Sequence, residues 1–357
     1  MRCTLFGESH GPGIGVVLEG VPAGLTLDMD EVLAEMARRA PGKSAVATAR
    51  READAPRIIS GLFEGRTTGS PLCALIENTD ARSSSYAATR FLARPGHADY
   101  TGFVRYAGCN DYRGGGHFSG RITAPLVCAG AVAKQLLRLK GIRVFAHILE
   151  AAGFADAPFD AVAPDEAALA AIAGRDFPVL DEQKGEAMRE AILAARADGD
   201  SVGGVIEGMV TGLEPGLGGP DLEDTVEGLF ARQLFAVPAV KGVAFGAGFG
   251  FAAMRGSAAN DAFYTDAGGR VRTRSNHNGG INGGITNGMP LLFTAAVKPT
   301  PSIALPQETI DLRTGERAEI RVSGRHDPCI LPRAVPVIEA AAALAAAALI
   351  AAPKGAL

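Results

Sequence analysis

The sequence predicts an α+β fold of layered sheets and helices, and three observations carry that prediction. Short apolar runs bounded by Gly, Pro, Asn and Asp recur along the chain and read as strands, several of them paired in hairpins. Long runs at 126–140 and after Cys329 are rich in Ala and Leu and read as helices. Finally, LEGVPAGL at 18–25 lines up with IEGMVTGL at 206–213, each followed by a helix, which suggests a weak internal duplication.

Taken in order, residues 1–6 and 13–21 read as strands joined by the turn GESHG, which carries Ser9 and His10. Asp28 or Asp30 caps a helix bearing Val32, Leu33, Met36 and Ala37 on one face, ended by Pro41-Gly42. A polar connector, 43–54, leads to strands at 57–63 and 71–77, and a long loop, 78–100, leads into a basic segment. The helix at 126–140 stops at Gly141, and a strand follows at 142–149. Helices at 165–173 and 181–197 lie in an Ala-rich, acidic region with no concentrated polar site, read as outer scaffolding. Beyond it come a helix at 222–235, a strand at 239–245, a Gly/Asn tract at 275–288 and a strand at 290–297. A hairpin, 308–312 with 319–322, and the terminal helix complete the chain.

The segment 94–121, RPGHADYTGFVRYAGCNDYRGGGHFSGR, concentrates the polar chemistry. Arg94, Arg105, Arg113 and Arg121 can each present a planar fork of donors to phosphate or carboxylate, opposed only by Asp99 and Asp111. Gly114, Gly115 and Gly116 allow close backbone approach, and Thr123 with Pro125 reads as the cap and first turn of the next helix, an anion-attracting end. His97 and His117 titrate near neutrality when unperturbed and are candidate proton carriers. For any single arginine, pairing with a nearby carboxylate is the ordinary alternative; the clustering argues against it.

Composition narrows the function. Nearly half of the 357 residues are hydrophobic (47%), yet no uninterrupted apolar run reaches the roughly 20 residues of a membrane span. The N-terminus shows no signal-peptide pattern, so a cytoplasmic location is expected, with no membrane partner. Cys3, Cys73, Cys109, Cys128 and Cys329 lack zinc-site spacing, so reduced thiols and no metal are expected. A net charge of −4 disfavours bulk attraction to nucleic acid and makes the basic segment a local patch suited to a small anion.

GESHG at 7–11 matches the G-x-S-x-G string of serine hydrolases, but a strand follows it where a helix is required. PGKS at 41–44 lacks the first glycine of a phosphate loop and follows a helix, and no G-x-G-x-x-G supports a dinucleotide site. Arg325-His326-Asp327-Pro328 sets a cation, an imidazole and a carboxylate in a proline-bounded turn; with His10 and His97 it marks loops that could converge on one pocket.

Several longer strings, in order along nearly the whole chain, closely resemble chorismate synthases: FGESHG (6–11), RPGHADYT (94–101), DYRGGG (111–116), VKGV (240–243), SNHNGGINGG (275–284), KPT (298–300) and GRHDPC (324–329). The resemblance implies a single domain over 1–357, a β-α-β sandwich with helices between two mainly antiparallel sheets, and a homotetramer. It implies a carbon–oxygen lyase that eliminates phosphate in the anti-1,4 sense from 5-enolpyruvylshikimate 3-phosphate to give chorismate. The reaction belongs to aromatic amino acid biosynthesis and uses reduced FMN.

Carried over by position, the resemblance implies that His10 donates a proton to the departing phosphate and His97 protonates or stabilises the reduced flavin. Asp327, with Ser9 as relay, manages protons near the flavin's reactive nitrogen. Arg39, Arg94, Arg121 and Arg325 hold the substrate's anionic groups. FMN contacts fall at His117, Phe118, Ser119, Pro238, Ala239, Gly283, Lys298, Pro299, Thr300, Pro301, Ser302 and Arg325. The sequence departs from the family at Ala45, where an arginine is usual and Lys43 or Arg50 could substitute. It departs also at His117-Phe118, where Arg-Ser is common, and at Pro301, where Ser is common. No nicotinamide motif is evident, which favours an external flavin reductase over the chain's own NADP-linked reduction. The rival readings are a Gly/Arg-rich RNA-binding module, disfavoured by the acidic balance and the lack of an RNA-binding motif, and, more distantly, an oligomeric scaffold.

Overall fold

The computed structural model describes residues 1–40, 54–79, 86–322 and 327–352. In chain order the strands are β1 (Arg2–Gly7), β2 (Gly13–Glu19), β3 (Arg57–Ser60), β4 (Leu62–Phe63), β5 (Arg66–Thr67), β6 (Leu72–Glu77), β7 (Arg143–Ala151), β8 (Phe154–Ala155) and β9 (Gly204–Thr211). They continue with β10 (Val240–Phe245), β11 (Phe263–Thr265), β12 (Val271–Thr273), β13 (Ile281–Asn282), β14 (Ile285–Thr286), β15 (Leu291–Val297), β16 (Gln307–Ile310) and β17 (Arg317–Ile320). The helices are α1 (Met29–Arg39), α2 (Asp99–Arg105), α3 (Thr123–Arg138), α4 (Glu166–Ile172), α5 (Glu182–Ala197), α6 (Val226–Phe235), α7 (Gly256–Ala259) and α8 (Leu331–Ala351).

Two antiparallel sheets, ordered β1-β2-β6-β3 and β10-β15-β9-β7-β8, enclose the helices. Ile14, Val16 and Leu18 alternate toward the interior, where α3 lies on the first sheet, α8 on the second, and the two helices on each other. Gly130 permits that contact, since a Cβ there would stand 2.2 Å from the Cβ of Ala340. By length and composition α8 could cross a membrane, but here it is a buried core helix. Its Glu339 is buried and neutralised by Arg38 and Lys134.

The duplication is far stronger in the structure than in the sequence pattern. Each half runs hairpin, helix, edge strand, central strand, helix: β1-β2-α1-β3-β6-α3 and β7-β9-α6-β10-β15-α8, with the same order in each sheet. Ahead of each central strand sits a two-residue hairpin, β4/β5 or β13/β14, and the sequences GLFEGRTTGSPL (61–72) and GINGGITNGMPL (280–291) superpose through it. Gly65 and Gly284 occupy the same left-handed turn position, φ 73° and 81°. Thr67 exchanges hydrogen bonds with Leu25 and donates its hydroxyl to the Pro22 carbonyl; Thr286 does the same with Leu217 and Glu214. Leu25 therefore matches Leu217, four residues beyond the partner that the sequence alignment assigns.

Asp28 caps α1, one of the two caps expected there, and Asp165 and Asp181 cap α4 and α5. Other expectations need correction. The helix expected from 222 begins at Val226, because the Thr225 side chain supplies the cap. Thr123 does not cap α3; it is already helical, and its hydroxyl donates to the Gly120 carbonyl. The loop expected over 78–100 gives way at Asp99 to α2, and two 3-10 turns follow within the basic segment. The Pro41-Gly42 stop lies outside the described residues.

The region 152–203, inserted between the first two strands of the second half, covers that sheet's outer face over Phe145, Met209 and Leu292. Beneath it His147 is fully buried between Asp156 (3.2 Å) and Glu207 (2.9 Å). Burial alone would lower the His147 pKa, but the two carboxylates outweigh it and raise it.

Candidate active site

Long connections leave the same strand end in each half: 78–122 after β6 and 298–330 after β15. They brace each other, Leu312 N–H donating to the Phe91 carbonyl (2.9 Å) and the Thr309 hydroxyl to the Ala93 carbonyl. The β1–β2 turn, with Ser9 and His10, opens at that same end of the first sheet, where Gly13 pairs with Glu77. Loops from both halves therefore meet where the sequence places its polar residues.

Gly114 to Gly116 form the floor. All three have positive φ, and a Cβ on Gly114 would come within 2.2 Å of the His10 ring and 3.1 Å of the Ser9 hydroxyl. A Cβ on Gly115 would stand 3.1 Å from the His97 ring. The glycines thus set His10 and His97 against neighbouring residues of one strip of backbone, which the Ser9 N–H fixes by donating to Gly116 (3.1 Å). His10 and Ser9 are buried, and the Tyr86 ring meets His10 edge-on at 5.0 Å.

His97 Nδ1 lies 2.7 Å from Asp99, and Arg94 grips the same carboxylate at 2.7 and 2.8 Å while reaching Ser302 at 3.2 Å. Burial would raise the Asp99 carboxyl, but the hydrogen bonds from Arg94 and His97 outweigh it and hold it well below the usual range. Asp99 stays ionised and orients the imidazole. Lys298 donates to the Gly96 carbonyl, and its backbone N–H donates to Ala239 (3.0 Å), which brings Ala239 and 298–302 to the same place.

On the other side Arg39 and Arg121, both buried, share one buried carboxylate, Asp54, at 2.9 and 2.6 Å. Burial first, then repulsion from Arg333 and Arg121, pulls the Arg39 guanidinium down to about 9 against the attraction of Asp54. It remains charged at neutral pH. Arg333 donates to the Arg39 carbonyl (3.1 Å) and to Asp327 (2.6 Å), linking that carboxylate to the cluster. Among the described residues Asp54 is the carboxylate that the two guanidiniums share, and a pair of buried cations so close together suits an anionic ligand.

The basic segment is less uniform than its sequence. Arg94, Arg113 and Arg121 pair with Asp99, Asp111 and Asp54, and Arg105 is exposed on α2. His117 is exposed, its Nδ1 2.8 Å from the Gly7 carbonyl oxygen, while the Phe118 ring packs toward Tyr106. Ser119 accepts from the Arg121 N–H (3.3 Å). Gly283 stands apart: its hairpin packs on 217–226, at the far end of β15 from Lys298, about 20 Å away at roughly 3.3 Å per residue. Arg325 and Ala45 lie outside the described residues. The sequence reading missed Asp54, Asn78 and Arg333, whose roles come only from distant partners.

Beside Arg94 and Asp99 a cleft opens, lined by Tyr86, Arg90, Tyr112 and Arg321, with Arg90 stacked 4.9 Å from the Tyr112 ring. Nearby, the Thr300 hydroxyl is buried with no hydrogen-bond partner among the described residues. An unpaired buried hydroxyl costs stability unless a ligand supplies its partner, so the 298–302 segment fits a polar cofactor edge.

The chain matches the family model described as chorismate synthase over residues 1–350. It is 49% identical over 341 residues to a chorismate synthase of Thermococcus kodakarensis, covering 95% of this chain and 93% of that protein. It is 48% identical over 343 residues to one of Methanocella arvoryzae, covering 96% and 90%. Among solved structures it resembles a chorismate synthase crystal structure with a TM-score of 0.77 at 28% identity, covering 98% of this chain and 91% of that one.

Proposed function

The chain belongs to the chorismate synthase family, and from that premise we propose that it converts 5-enolpyruvylshikimate 3-phosphate to chorismate by 1,4-elimination of phosphate with reduced FMN. The observation that carries the reading is the pairing of two buried guanidiniums, Arg39 and Arg121 on Asp54, with two histidines held against Gly114 and Gly115. A substrate with two carboxylates and a phosphate needs such cations, and a phosphate leaving group needs an acid.

Arg39, Arg94, Arg121 and Arg325 hold the substrate's anions. His10 gives its proton to the departing phosphate. His97, oriented by Asp99, would hold a proton toward the flavin, and Asp327, with Ser9 as relay, would manage protons near its reactive nitrogen. His117 to Ser119, Pro238, Ala239, 298–302 and Arg325 hold FMN, with the unpaired Thr300 hydroxyl as a contact; Gly283 is assigned there by family position alone. Reduced FMN supplies the electron-rich partner that the chain's side chains lack. An external reductase supplies it reduced.

The chain works as one domain in a cytoplasmic homotetramer. Half-exposed Phe6, Val17 and Leu75 on the outer face of the first sheet support association, because the equivalent face of the second sheet is covered. Titration with the phosphorylated substrate tests the binding reading: FMN should bind much more tightly in its presence, and the enhancement should vanish in Arg39→Ala. Substrate-independent FMN affinity would contradict it.

A further inference from the structure

We propose that Asn78 is a positioning residue that couples the His10 turn to the substrate-binding Arg121, so that the proton donor and the anion clamp keep one fixed geometry. The inference rests on the reading of His10 as the acid and Arg121 as an anion ligand. Asn78 follows the last residue of β6, and its own N–H donates to the Pro12 carbonyl (3.2 Å). Its side-chain amide donates to the carbonyls of Glu8 (3.0 Å) and Gly11 (2.9 Å), the two residues that bracket Ser9-His10. The amide oxygen accepts from Arg121 Nε at 2.7 Å.

The orientation of the amide is fixed by its partners. Carbonyl oxygens only accept and a guanidinium only donates, so oxygen must face Arg121 and nitrogen the turn. A carboxylate keeps the arginine but cannot donate to the turn, a hydroxyl is too short to reach both sides, and a leucine loses both. Asparagine is the residue whose donors and acceptor match this three-way junction. Among the described residues Arg121 also donates to Asp54 (2.6 Å) and the Glu77 carbonyl (3.5 Å), so the junction ties the His10 turn to the charge cluster that also holds Arg39.

Losing the junction should misplace the acid relative to the bound anion, and small displacements of reacting groups cost up to about 100-fold in rate. The test compares wild type with Asn78→Asp and Asn78→Leu in anaerobic turnover with reduced FMN, alongside NMR titration of the His10 ring. Asn78→Asp, which keeps the Arg121 contact, should lower kcat at least tenfold while KM for the substrate changes less than threefold. It should also move the His10 titration upward, because a carboxylate now faces its turn. Asn78→Leu should raise KM tenfold as well. Should the aspartate variant fail to fold, Asn78→Ser carries the same kcat readout, and its NMR readout is a changed His10 environment without the upward titration. Wild-type kcat and an unmoved His10 titration in a folded variant would overturn the proposal. If wild type itself does not turn over, the functional reading fails, and the His10 titration alone decides the coupling.

Discussion

Replacing Asp54 by Asn isolates the charge that holds Arg39 and Arg121. Asp54 sits at φ 47°, a left-handed conformation that Asn tolerates, so the backbone should survive and only the charge is lost. The Asp54 side chain is fully buried and takes one guanidinium on each oxygen, at 2.9 and 2.6 Å. Charge-assisted hydrogen bonds contribute about 1.5–3 kcal/mol each against about 1 for neutral ones, so weakening two costs about 2–3 kcal/mol. The amide also turns one end toward a guanidinium as a donor, and two buried cations lose their counter-charge, bringing the loss to roughly 3–5 kcal/mol. At roughly 1–2 °C per kcal/mol for a chain of this length, Tm should fall by about 3–10 °C in a low-anion buffer. Saturating substrate should then stabilise the variant more than wild type, because the ligand supplies the missing charge. Differential scanning calorimetry with and without ligand checks both. A Tm within 1 °C of wild type would refute the reading of Asp54 as the charge that holds the pair, and a smaller ligand response would refute the reading of the pair as an anion site.

Three other expectations follow from named groups. His10→Ala and His97→Ala should each lower turnover by about 10²–10⁴-fold with unchanged circular dichroism, whereas near-normal rates would remove that residue from the chemistry. The raised pKa of His147 means its stabilisation is fully present below its unfolded value of about 6.5 and is lost as pH rises through the higher folded value. Wild type should therefore lose stability on the alkaline side more steeply than His147→Gln, and parallel pH–Tm curves would sink the assignment. Asp261 organises the 275–278 tract by accepting from Ser275, His277 and Asn278. Burial raises its carboxyl, but these bonds hold it down to about 2, so its contribution, present above about pH 4, should fade as pH falls toward 2. Asp261→Asn should flatten that acid limb in urea titrations.

Much of the fold was legible where local chemistry decides it. The cap at Asp28 and the apolar run of α3 follow from a side-chain acceptor placed before an apolar face and from helical periodicity. α2 was not legible, because Asp99, Thr101 and Gly102 are weak helix formers and tertiary contacts must stabilise the turn. The duplication was visible at its less informative end; its better record, 61–72 against 280–291, consists of glycines and a proline that constrain backbone and look like ordinary turns. At the site, His10, His97 and the glycines stood out by their motifs. Asp54, Asn78 and Arg333 did not, since their contacts reach partners up to nearly 300 residues away.

The most direct measurement is anaerobic turnover: the protein is mixed with chemically reduced FMN and 5-enolpyruvylshikimate 3-phosphate while chorismate and free phosphate are followed together. The account predicts equal release of both products at the same rate, and none without reduced flavin. Phosphate without chorismate, or turnover independent of reduced flavin, would contradict it.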